Sequence, residues 1–231
     1  MKNQIVASIA ALPFALGTVF TGAGVANAAG LTGGFSIGSV ITTIELSEGQ
    51  LTFDPNPGPV GLAVSSGSFM DFNSAAIKGP LTFDGSTGTP YTVTSFADPF
   101  LDFGNLTFPG IPFGDTTSIG DGINTFSLTK STINVMQMSD NANVDILVSL
   151  YGTFEDAEGN KTQGKGDLTL QLADTTVAEV ESIFNGTNPA ESATFSGALV
   201  AEMETVPEPT VLFGLGVVTA GLVTSRRKKN S

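Results

Sequence analysis

The run Val144-Asp145-Ile146-Leu147-Val148-Ser149-Leu150-Tyr151-Gly152-Thr153-Phe154 decides the fold class. Its even positions carry Val144, Ile146, Val148, Leu150, Gly152 and Phe154, while the odd ones include Asp145, Ser149, Thr153 and, one step on, Glu155. Successive side chains of a strand point to opposite faces, so this period of two predicts a strand with one buried face. Beyond the turn-forming stretch Asp156-Ala157-Glu158-Gly159-Asn160, Leu168, Leu170 and Leu172 alternate with Asp167, Thr169 and Gln171. The two segments are expected to pair as a β-hairpin.

The pattern extends in both directions. Upstream, Phe126 and Leu128 fall on even positions but Ile133 and Val135 on odd ones, so that strand needs one extra residue, a bulge near Lys130. Downstream, Phe195, Leu199, Ala201 and Met203 share one phase and read as a last strand from Phe195 to Met203. Between these, Thr176-Val177-Ala178-Glu179 has the spacing of a capping box, and Val177, Val180, Ile183 and Phe184 follow at helical intervals before Asn185-Gly186. A short helix is expected there.

Towards the N-terminus, Leu31 to Leu46 reads as one or two strands rich in Ile, Val and Thr. Pro55-Asn56-Pro57-Gly58-Pro59 is a turn at which the chain reverses or crosses. The phrase Gly-x-Leu-Thr-Phe begins at Gly49, Gly79 and Gly104. The unequal intervals point to a short strand reused before turns and not to a solenoid. Many short strands with Gly/Pro turns and a single helix define an all-β chain, expected to be an antiparallel β-sandwich or jelly roll, with a barrel as second choice.

Charge and composition narrow the chemistry. Residues 29–205 hold four lysines against 21 acidic residues, a net charge of −17, so nucleic acid is not an expected partner. Without cysteine, core packing and not disulfides must stabilise the fold. The absence of His excludes a Ser-His-Asp triad and His-ligated zinc, and the absence of Cys excludes thiol catalysis and thiolate metal sites. A Ser-Lys pair built on Lys78 or Lys130 is conceivable, but both lysines read more simply as solvated strand residues. Paired carboxylates stay open as a class, although so many acids make some suitable pair unavoidable. With no Trp and only Tyr91 and Tyr151, aromatic sugar platforms are scarce. No enzyme is expected.

Calcium is the one cofactor the residues leave possible. Asp98, Asp102, Asp115 and Asp121 lie in a turn-rich stretch, and Asp140-Asn141-Ala142-Asn143-Val144-Asp145 clusters oxygen donors. Ala142 stands at a ligand position of the EF-hand order, so neither stretch has that motif, and Asp and Asn are also ordinary turn residues.

Both ends read as addresses. Lys2, the apolar segment from Ile5 to Phe20 and the exit Ala26-Asn27-Ala28 form a secretory signal peptide over 1–28, with cleavage after Ala28. At the other end, Val206-Pro207-Glu208-Pro209 is followed by 16 uncharged residues from Thr210 to Ser225 and then by Arg226-Arg227-Lys228-Lys229. Two prolines so close form a stiff extended break. The following helix, at about 1.5 Å per residue, would be roughly 24 Å long against roughly 30 Å of hydrocarbon. The basic end would stay cytoplasmic and leave 29–205 outside.

This order of motif, apolar segment and basic cluster resembles the PEP-CTERM sorting signal of bacterial surface proteins, over residues 206–229. The body, with its Gly-Ser-Phe and Leu-Thr-Phe-Asp phrases, is loosely similar to uncharacterised PEP-CTERM proteins of cyanobacteria. The resemblance implies recognition by an exosortase-type membrane protease, processing near Pro207-Glu208-Pro209, and delivery to the cell surface or exopolysaccharide matrix. Glu208 would then be a recognition residue. The expected function is that of a non-enzymatic exported surface or matrix protein, with the general secretion machinery, the protease, a transient membrane contact and exopolysaccharide as partners. The alternative is a carbohydrate- or calcium-binding module at the cell surface.

Overall fold

The computed structural model describes residues 30–39, 41–106, 119–137 and 143–202. The signal-peptide residues Ala26 and Ala28, the tail from Val206 to Lys229, Met203, Asp115 and Asp140 lie outside the described residues. Within them the chain forms thirteen strands and one α-helix. In order these are β1 (Gly33–Gly38), β2 (Thr43–Ser47), β3 (Gln50–Asp54), β4 (Gly58–Ala63), β5 (Ser74–Ile77), β6 (Leu81–Phe83), β7 (Tyr91–Ser95), β8 (Leu101–Gly104), β9 (Thr125–Gln137), β10 (Asn143–Glu155), β11 (Lys161–Ala173), α1 (Val177–Phe184), β12 (Glu191–Ala193) and β13 (Phe195–Glu202).

The hairpin predicted by alternation is present along its full length. β10 and β11 pair from Asn143↔Ala173 to Glu155↔Lys161, and Val144, Ile146, Val148, Leu150 and Phe154 are all fully buried. The bulge is present too. β9 pairs with β10 in register up to Lys130↔Tyr151, then resumes at Leu128↔Gly152, leaving Thr129 as the extra residue. Thr129 and Lys130 are consecutive exposed positions, and across them the buried side of β9 switches from Phe126 and Leu128 to Ser131, Ile133 and Val135. Gly152 is required there. A Cβ on it would meet the Ser127 carbonyl oxygen and come within 2.9 Å of the Phe126 ring.

Antiparallel neighbours run β10-β11-β13-β1-β4-β5-β8-β9, and β9 returns to β10. This is a closed ring of eight strands, not clearly the two-sheet sandwich or jelly roll expected from the alternation. The reason lies in β9. One edge pairs throughout with β10, while the other pairs with β8 at Thr125–Phe126 and with β7 at Thr132–Ile133. The half before the bulge closes the ring, which removes its open edges. The half beyond it leads into an arm β7-β6-β3-β2-β12.

The three central strands hold thirteen residues each, roughly 43 Å at about 3.3 Å per residue. Their length serves both parts. In the ring, Phe35, Phe69, Phe103, Phe126 and Phe154 form a chain of tilted and edge-on contacts with centroids 4.5 to 6.1 Å apart. Under the arm, Phe83, Tyr91 and Phe184 stack on one another 4.8 to 5.3 Å apart. Phe184 comes from α1, whose capping box has the expected form: Thr176 Oγ1 accepts from the Glu179 N–H, and the Thr176 N–H donates to the Glu179 carboxylate. Val180, Ile183 and Phe184 are buried.

Two of the Gly-x-Leu-Thr-Phe phrases are strands, and they pair with each other, Leu51 opposite Leu81. The third starts at Gly104, the last residue of β8, and its Leu106 is buried against Ala76 and Ile119. The proline-rich turn is shorter than its composition implies. Gly58 and Pro59 already belong to β4, where Pro59 faces Ala76. Pro59 is tolerated because β1 reaches only as far as Gly61 on that side, and the Pro59 carbonyl is bonded instead by Thr42 Oγ1 at 2.7 Å.

Candidate functional site

The carboxylates proposed as calcium ligands converge less than their spacing suggests. β8 reads Leu101-Asp102-Phe103-Gly104, with Leu101 and Phe103 in the core. Alternation should leave Asp102 in solvent, but Leu106 and Ile119 pack together on Ala76, the partner of Asp102 on β5. A Cβ on Gly104 would come within 2.7 Å of the Ile119 side chain, so the cover is close. The Asp102 side chain has no exposed surface.

Two donors meet it. Asp102 Oδ2 accepts from the Gly122 N–H at 2.9 Å and from Lys78 Nζ at 3.4 Å. Oδ1 is buried with no hydrogen-bond partner. Burial raises the Asp102 pKa above the ordinary carboxylate value. The Gly122 N–H and the Lys78 charge pull it partly back, and the nearby Asp121 charge adds to the rise. Lys78 is thus not the solvated strand residue expected from its surroundings in sequence. Its side chain is only 25 % exposed and is committed to Asp102.

The other candidates are engaged separately. Asp121 Oδ1 accepts from the Ile123 N–H at 2.9 Å in a local turn. Asp98 Oδ1 takes the Ser127 hydroxyl at 2.5 Å, and Asp145 Oδ1 takes Gln171 Nε2 at 3.1 Å. Among the described residues no group of three His, Cys, Asp or Glu side chains is placed to hold a metal ion. At Asp102 the ammonium of Lys78 already lies against Oδ2.

A shallow open depression of about 390 Å³ lies between the β2–β3 turn, the loop after β6 and the end of α1. Phe83 and Phe184 line it together with Glu48, Asp84 and Asn185. Asp84 is held ionised by Ser86, whose Oγ and N–H donate to Oδ1 at 2.6 and 2.9 Å and keep its pKa below the usual value. A carboxyl so stabilised as an anion is a poor proton donor, which disfavours an acid role at this place.

The pairing of Lys78 with Asp102 was not visible in the chain, where they stand 24 positions apart. The one hint was an acid set between two core residues of a short strand. No protein-family model matches the chain, and no match is found among curated proteins or among solved structures.

Proposed function

We propose that this chain is a non-enzymatic exported protein of the cell surface or extracellular matrix. Residues 1–28 export it, residues 29–205 form the working body, and residues 206–229 direct processing at Val206-Pro207-Glu208-Pro209 by an exosortase-type protease. The basic end, Arg226 to Lys229, holds the tail across the membrane until then. One observation supports this reading above others. β1 pairs with β13 from Gly33↔Ala201 to Gly38↔Ser196, so the ring is closed by strands that all lie within 33–202.

Replacing Pro207-Glu208-Pro209 by alanines tests it. Export should continue, with unprocessed protein accumulating in the membrane fraction, while deletion from Val206 onward should release folded protein to the medium. Normal processing and placement of the alanine variant would overturn the proposal. The second reading, a carbohydrate-binding module, is favoured by one feature of the outer surface, an exposed tyrosine between two lysines. Its calcium-binding counterpart is disfavoured at Asp102 by the position of Lys78.

A further inference from the structure

Tyr151 is 45 % exposed on the outer face of β10, and its direct cross-strand neighbours are Lys130 on β9 and Lys165 on β11. Lys165 in turn faces Val200, itself 45 % exposed on β13. The row Lys130, Tyr151, Lys165 and Val200 thus crosses four adjacent strands. At about 4.8 Å per strand it forms a strip roughly 14 Å long. The bulge creates it. In the first half of β9 even positions point inwards, and only the extra residue Thr129 turns Lys130 outwards beside Tyr151. Thr129 Oγ1 donates to the Tyr151 carbonyl at 3.2 Å and ties the bulge to that residue.

The charges single out Lys130. Lys78 is paired with Asp102, Lys161 with Glu155 and Lys165 with Glu202. Lys130 has no carboxylate partner among the described residues and holds its Nζ over the Tyr151 ring, 5.9 Å from the ring centre. In a body where acids outnumber lysines by 21 to four, an ammonium kept free of carboxylates beside an exposed ring is against the composition.

We infer that this strip binds an acidic polysaccharide, with Tyr151 stacking on a sugar ring and Lys130 pairing with a carboxylate of the chain. The inference rests on the reading of the body as an exported matrix protein and names the ligand class and the site. An aromatic face accepts the apolar side of a ring, and an ammonium beside it selects a ligand that is both cyclic and anionic. A phosphate polymer fits less well, because its charges lie on the backbone and not on the ring that would pack against Tyr151. A uronate chain carries its carboxylate on the sugar ring itself, so one residue can meet Tyr151 and Lys130 together.

The test uses the full chain in mild detergent and measures retention on immobilised polygalacturonate, its methyl ester, dextran and poly(dT). Polygalacturonate should bind best, and 0.5 M salt should weaken it. K130A and Y151A should each lower the affinity about threefold or more, as expected for exposed charge and ring contacts. K130R and Y151F should keep most of it. Both positions changed, Lys130 and Tyr151, are exposed, so unaltered melting temperatures should separate binding from folding. Absence of binding, equal binding to the methyl ester, tighter binding to poly(dT), or unchanged binding by K130A and Y151A would each overturn the inference. Because retention is read in vitro, it stands or falls independently of the Pro207-Glu208-Pro209 variant, which tests sorting alone.

Discussion

Lys78 Nζ lies 3.4 Å from Oδ2 of Asp102, and that carboxylate is completely buried while the lysine keeps a quarter of its surface in water. The pair joins the end of β5 to β8, and the Gly122 N–H fastens the covering loop to the same oxygen. A buried charge that loses its partner is costly, whereas the pair itself gives little net stability.

Lys78→Met should therefore destabilise the fold by about 3 kcal/mol at neutral pH. The pH dependence follows from the raised Asp102 pKa. The folded state takes up the proton at a higher pH than the unfolded chain, so this group's contribution is fully present below the unfolded value of 3.8 and is lost as pH rises through the folded pKa. The penalty of Lys78→Met should shrink as pH is lowered into that window, because protonated Asp102 no longer needs the ammonium. Urea unfolding at several pH values, with the double variant carrying Asp102→Asn, measures this coupling.

Calcium at millimolar concentration should leave the melting temperature unchanged. Lys78 already pairs with Asp102, and Asp98, Asp121 and Asp145 are bonded to different partners. A rise of several degrees on adding calcium, reversed by chelator, would contradict this account.

Phe154→Ala should cost about 3–5 kcal/mol, since its fully buried ring contacts Phe35, Phe69, Phe103 and Phe126 at once. Denaturant midpoints give the comparison. The same substitution at Phe72, partly exposed and in ring contact with Phe103 alone, should cost clearly less.

Thr176→Ala removes the side-chain acceptor of the capping box and should cost about 1 kcal/mol. Glu179 adds a pH signature. Its pKa is lowered by the Thr176 hydroxyl and N–H, so its contribution is present above the unfolded value of 4.5 and is lost as pH falls through the folded pKa. The difference between wild type and Thr176→Ala should accordingly narrow in acid, as followed by thermal melts.

Much of the secondary structure was legible from single residues. Phe126 and Leu128 against Ile133 and Val135 located the bulge to within one residue of Thr129, because a change of phase on one buried face has no other regular solution. Thr176 and Glu179 announced the helix, since the capping box is a local hydrogen-bond pattern. Lys78 and Asp102 were misread as a solvated lysine and a turn carboxylate because local spacing does not show that Leu106, Ile119 and Gly122 come to cover them.

The amino-acid sequence by itself determined the all-β class, the long hairpin of β10 and β11, the bulge, the capped helix and the exclusion of His and Cys chemistry. These depend on periods of two and four residues and on composition. Only the tertiary structure decided that eight strands close into a ring, that Lys78 neutralises a buried Asp102, and that Lys130 stands beside Tyr151. Each of these depends on which strands and loops come to lie side by side, and in which register. The period of a strand fixes the direction of its side chains but carries no information about which strand, in which register, will lie alongside it.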